Sequence, residues 1–247
     1  MIFLLGLVFG VAVVSGAHLP DGVKLCHRSD PDFQKCVAKS LGESLKYFTN
    51  GYKELGIPPL KPLFIEKLEI DPEAKQSVSI QQKYHNINVH GITDSTFDKY
   101  FKIELDNGCS WVTDASTPVV RMEADYEIKG QLLVFPINSH GKCNITQYDV
   151  VDRHMMTCEK YTKNNEIYLR VVNYTMDINS ESIVYDFDSI FPGNEQISNE
   201  IAKTLNENSL SIFNEVKGGI EKAFSFVYMQ YMNNVFSRIP LNQIFLD

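Results

Sequence analysis

Two histidine–cysteine pairs have side-chain types that could do chemistry. His140-x2-Cys143 and His154-x3-Cys158 carry zinc-binding groups at short spacing. The chain around both pairs reads as extended, and there the geometry fails. Side chains alternate between the faces of a strand, so His140 and Cys143 point in opposite directions. His154 and Cys158 share a face, but four residues at roughly 3.3 Å each hold them about 13 Å apart, too far for one metal ion. Glu123, Asp125 and Glu127 line up on the polar face of a strand, where they are solvated charges rather than an acid–base pair. His85 and His90 stand alone. No G-x-S-x-G, G-x-G-x-x-G, P-loop or H-E-x-x-H motif occurs. The sequence therefore predicts no catalytic residue, no metal and no cofactor.

Aromatic residues are plentiful instead: 15 Phe and 12 Tyr, with Trp111 as the single Trp. They recur on the apolar faces of the elements and together could line a cavity. From Phe64 to Phe187 the apolar period is two. Val120, Met122, Ala124, Tyr126 and Ile128 fall on one face, with Arg121, Glu123, Asp125 and Glu127 on the other. That is a half-buried antiparallel strand. Similar runs lie near 76–90, 97–105, 131–137, 143–161 and 166–178. Turns are expected at Asn107-Gly108, Lys129-Gly130 and Lys163-Asn164-Asn165. The 143–161 run far exceeds the usual five or six residues, so the sheet should curve and wrap around something.

Helical spacing flanks this β region. Ser29-Asp30-Pro31 is a helix-start signal, and Phe33, Cys36, Val37, Leu41, Leu45 and Phe48 follow at helical intervals, ending at Gly51 or Gly56. The prolines of the 56–63 segment then force an extended connector. Glu195 to Ile239 returns to helical period with a wide stripe that includes Ile201, Leu205, Ile212, Phe213, Val216 and Ile220. Gly218-Gly219 predicts a bend in it, and Pro240 stops it. There is no internal repeat or linker, so a single α+β domain is expected. If the curved antiparallel sheet wraps the C-terminal helix, nine side chains converge as ligand contacts: Met122, Ala124 and Tyr126; Leu133 and Phe135; Tyr174 and Met176; Phe213 and Val216.

The first 17 residues contain one apolar run ending in small residues, shorter than the roughly 20 residues of a membrane span. They read as a signal peptide, leaving residues 18–247 as an exported domain without stable membrane insertion. Five cysteines suit an oxidising compartment. Cys26 and Cys36 flank the first helix start and should bridge, while Cys109, Cys143 and Cys158 leave an odd thiol. Asn144-Ile-Thr and Asn173-Tyr-Thr are glycosylation sequons. The 247-residue chain has net charge −8 and no basic patch, which argues against nucleic acid as a partner.

The order of short motifs adds a resemblance. Leu19-Pro20-Asp21-Gly22 precedes Cys26, then Ser29-Asp30-Pro31-Asp32-Phe33 and Cys36. The segment from Glu54 to Ile65 follows, containing Gly56-Ile57-Pro58-Pro59-Leu60. Later come Gly130-Gln131-Leu132-Leu133, Pro136-Ile137, Gly141-Lys142-Cys143-Asn144-Ile145-Thr146 and Phe236-Ser237-Arg238-Ile239-Pro240. Across the mature chain this resembles the insect takeout / juvenile-hormone-binding protein family. The resemblance implies a TULIP / BPI-like single domain, a long C-terminal helix wrapped by a strongly curved antiparallel sheet. It also implies a Cys26–Cys36 disulfide and an internal tunnel for a terpenoid hormone, fatty acid or similar lipid. The expected function is a secreted carrier of a small hydrophobic ligand. The alternative is a secreted signalling or interaction factor whose cavity is filled by its own side chains.

Overall fold

The computed structural model describes residues 17–71, 78–106, 108–132, 135–188, 190–191 and 193–247, with residues 78, 79, 132 and 135 described through their backbone only. The predicted signal segment and Leu133 lie outside the described residues, apart from Ala17.

The first elements are a short strand β1 (Cys26–His27) and helix α1 (Phe33–Ser44). The Asp30 carboxylate accepts a hydrogen bond from the Asp32 backbone N–H at 2.8 Å and turns the chain into the helix. Regular α-helix ends at Ser44, earlier than expected, because Leu45–Phe48 tightens into a 3-10 turn.

The β region is β2 (Leu63–Ile70), β3 (Val78–His90), β4 (Phe101–Glu104), β5 (Ser110–Leu132), β6 (Phe135–Lys163), β7 (Glu166–Asn179) and β8 (Ser182–Phe187). These form one antiparallel sheet of order β2-β3-β5-β6-β7, with β4 beside β5 and β8 beside β6. The two central strands are 23 and 29 residues long, so each serves two neighbours. The start of β5 pairs with β4 and its end with β3. Likewise the first part of β6 pairs with β8 and its last part with β7. Such long twisting strands curl the sheet into a half-barrel.

Lys129-Gly130 is not a turn. Gly130 takes φ 141° and stays in the ladder, opposite Ile80 and Ile137, and β5 runs on to Leu132 opposite Phe135. The expected separate strand at 131–137 is therefore the end of β5 and the start of β6. The β6–β7 turn is as expected, with Asn164 and Asn165 both at positive φ.

The chain closes with α2 (Glu195–Glu207), α3 (Ser209–Phe236) and β9 (Phe245–Leu246), which pairs in parallel with β1. The predicted long helix is broken at Asn208, not at Gly218-Gly219. Asn208 leaves helical geometry, at φ −117° and ψ 21°, and its side-chain amide donates to the Thr204 carbonyl at 2.8 Å. Gly219 instead permits close packing. A Cβ there would lie 2.7 Å from Cγ2 of Ile70 on β2, so the glycine lets α3 press against the sheet.

Amide side chains fasten the helices to three strand edges. Gln34 of α1 bonds both backbone groups of Ile103 on β4 (2.8 and 2.9 Å). Asn206 of α2 bonds both groups of Tyr185 on β8 (2.8 Å each). Asn233 of α3 does the same to Val171 on β7 (2.8 and 3.0 Å). Unpaired edges are thereby satisfied and covered.

Candidate functional site

The curl of the sheet and the line of α3 enclose an elongated cavity of about 460 Å³. At one end stand Val37 and Leu41 of α1 with Trp111, and at the other Leu205 and Ile212. The inward residues of β5 and β6 form its floor, and the apolar face of α3 forms its roof. The volume falls within the usual range for small-molecule sites, and most of the lining is aliphatic or aromatic.

Of the nine expected contacts, Met122, Tyr126, Tyr174, Met176, Phe213 and Val216 line this cavity. Ala124 does not. It shares their face but is packed with Leu63, Tyr84, Ile87 and Tyr126 in the adjoining core. Leu133 and the side chain of Phe135 lie outside the described residues.

Polar groups in the wall are few and specifically placed. On β6 the inward positions run Val150, Asp152, His154 and Met156. The His154 Nδ1 is hydrogen-bonded to the Tyr174 hydroxyl at 2.8 Å. The His154 ring meets Tyr228 edge-on at 5.6 Å, and Tyr228 stacks on Tyr174 with centroids 6.1 Å apart. Burial holds the His154 imidazole down at about 4, so the ring is neutral. Burial, and then the neighbouring Glu221 and Asp177 carboxylates, push the Asp152 carboxyl up to about 7. Its Oδ1 is buried without a hydrogen-bond partner among the described residues. The adjacent cation, Lys217, is held by Asp177, Glu221 (3.4 Å) and Asn179 (3.2 Å).

Two other lining residues carry an enclosed donor with no partner among the described residues. Trp111 Nε1 lies toward the α1 end, where the ring packs on Phe101 (5.3 Å) and Phe245 (6.2 Å). Gln82 Nε2 is on β3, with its own Oε1 accepting from the Tyr84 hydroxyl at 2.8 Å. These three enclosed atoms belong to residues that line the cavity, so the polar part of its wall is confined to a few positions.

The two histidine–cysteine pairs lie in different surroundings. Cys158 is bridged to Cys109, and His154 belongs to the tyrosine cluster. His140 is exposed, whereas Cys143 is a buried free thiol that burial pushes up to about 12. Among the described residues no group of three His, Cys, Asp or Glu is placed to hold a metal ion. Cys26 and Cys36 are bridged. Asp125 and Glu123 lie on the outer face, paired with Lys142 (3.2 Å) and Arg121 (3.1 Å). Of the sequons, Asn173 is exposed on β7, while Asn144 is half-buried in mid-sheet with its Oδ1 enclosed and unpartnered. No helix among the described residues is long and apolar enough to cross a membrane.

Asp152 and Gln82 escaped the sequence reading, and His154 was weighed only as a metal ligand. The missed signal was parity: in a strand whose apolar phase is Val150 and Met156, a carboxylate and an imidazole occupy the inward positions between them.

The same architecture occurs in known proteins. The chain superposes on the crystal structure of Epiphyas postvittana Takeout 1 with a TM-score of 0.79, at 16% identity, covering 91% of this chain and all of that one. It is 20% identical over 231 residues to the circadian clock-controlled protein daywake of Drosophila melanogaster, covering 92% of this chain and 88% of that protein. The match to daywake of Drosophila yakuba has the same identity and coverage. The model of the haemolymph juvenile hormone binding protein family matches residues 2–246, and the chain belongs to that family.

Proposed function

We propose that the protein is a secreted carrier of one small hydrophobic ligand, held in the cavity between the curved sheet and α3. The observation that carries this reading is the 460 Å³ cavity, too large for its own side chains to fill and walled mainly by apolar groups. Burial of a lipid chain contributes about 0.8 kcal/mol per methylene, so about ten methylenes supply enough to offset ligand ordering without any ion pair. Family membership supports a binding role rather than catalysis. Two disulfides and the apolar leader support export.

The test fills the cavity from its wall. Ala115 of β5 is buried, lines the cavity and sits opposite Asp152 in the ladder. The Ala115→Trp variant should keep its circular dichroism spectrum and lose saturable binding of the neutral fluorophore N-phenyl-1-naphthylamine. Unchanged binding by a folded variant would place the ligand elsewhere and reject the proposal.

A further inference from the structure

We propose that Asp152, His154 and Tyr174 form the head-group subsite of this cavity, selecting a neutral lipid that carries a hydroxyl over one that carries an ionised carboxylate. The inference rests on the carrier reading and narrows its ligand class.

The hydrogen-bond inventory assigns the roles. Among the described residues the Tyr174 hydroxyl has one hydrogen bond, to His154 Nδ1. In either tautomer the pair uses one proton and leaves one donor free, the Tyr174 O–H or the His154 Nε2–H; the subsite takes the phenol as the donor, with the ring proton on Nε2. That N–H has no partner among the described residues. The Asp152 carboxyl, two residues away on the same face of β6 and lining the cavity, also has none. The two positions are about 6.6 Å apart along the strand, close enough for one small polar head to reach both. A hydroxyl has the matching pattern: its oxygen accepts from Nε2–H while its proton goes to the Asp152 carboxylate. An ether or ester oxygen can take the first bond and not the second.

A carboxylate fits poorly. Asp152 is flanked by Glu221 and Asp177 from α3 and β7, and Lys217 is already committed to those two carboxylates. His154 offers no positive charge, and Tyr174 and Tyr228 complete the surroundings. Arg153 is paired with Asp114 at 2.7 Å. Lys24 is the sole Lys or Arg among the described lining residues, and it is exposed near α1, where its carbonyl accepts from Ser40. An anionic head at Asp152 would be buried beside like charge with no counterion.

Displacement of N-phenyl-1-naphthylamine from the full chain at about pH 8 separates the cases, using 1-dodecanol, 1-methoxydodecane and dodecanoate. Wild type should prefer the alcohol by about tenfold or more over each of the others. Asp152→Leu should reduce the alcohol to the affinity of the ether. Asp152→Asn, which keeps an acceptor oxygen but no charge, should retain alcohol over ether and narrow the discrimination against dodecanoate. Equal affinities for the three compounds in wild type, or an alcohol preference that survives Asp152→Leu, would overturn the subsite while leaving the carrier standing. Failure of the fluorophore to bind wild type, or of all three to displace it, would overturn the carrier reading itself.

Discussion

Asp152 and His154 face the same cavity from one strand, yet burial moves them in opposite directions, which makes the pH dependence of stability a sharp test. The Asp152 carboxyl sits at about 7 in the folded protein against an ordinary 3.8, so from pH 4 to 7 the native state holds a proton that the unfolded chain has released. Its stabilising contribution is full below pH 4 and is lost as pH rises to 7. The His154 ring sits at about 4 against 6.5, so its contribution is present above pH 6.5 and is lost as pH falls toward 4. Between pH 4 and 6.5 the two slopes are each about 1.4 kcal/mol per pH unit, opposite in sign, and cancel. Asp152→Asn removes one of them. The variant should gain on wild type by about 1.4 kcal/mol per pH unit above pH 4, reaching on the order of 4 kcal/mol at pH 7, and then level off. Urea unfolding of both proteins at about one-unit steps from pH 4.5 to 7.5 measures this directly, because groups common to the two cancel in the difference. A difference that stays constant with pH would refute the burial of Asp152 as a neutral carboxyl. His154→Gln should show the opposite trend.

Three other expectations follow from the packing. Gly219→Ala should destabilise despite a helix-propensity gain of about 1 kcal/mol, because its methyl group meets the stiff, β-branched Ile70 at 2.7 Å; exposed Gly218→Ala should stabilise by about 1 kcal/mol, and paired thermal melts would show the opposite signs. Asn233→Ala strands both backbone groups of Val171 and should cost about 1–3 kcal/mol by urea titration, with faster amide exchange at Val171; an unchanged midpoint would discount the clasp. Glycopeptide mapping of protein secreted from eukaryotic cells should find glycan on exposed Asn173 and not on Asn144, whose amide oxygen is enclosed in mid-sheet; the reverse pattern would contradict that placement.

The sheet was legible wherever one face is wet. Met122, Tyr126 and their polar alternates identify β5 because water on one side and core on the other impose a period of two. The Asn164-Asn165 turn was legible because two consecutive positive φ values select those residues. Gly130 misled because a glycine within a long strand looks like a turn when the partners that hold it, Ile80 and Ile137, are distant in sequence. Gly219 misled for a related reason: local propensity suggests a bend, and only the approach of Ile70 shows a contact surface. The convergence of six expected contacts followed from facing alone. Ala124 had the right phase, but phase does not report which neighbours pack over a side chain: Ala115, equally short, lines the lumen, while Ala124 packs into the adjoining core. Asp152 and His154 needed the phase of β6, which its polar residues obscure, and their altered protonation depends on α3 lying across β7.

The central claim is that the cavity holds a small hydrophobic molecule. Native mass spectrometry of protein secreted from insect cells, followed by organic extraction of the same sample, tests it most directly. The account predicts a species heavier than the disulfide-bonded polypeptide by one small molecule, with a lipid recovered in about equimolar amount. A bare polypeptide mass, an empty extract and no subsequent uptake of 1-dodecanol would contradict it.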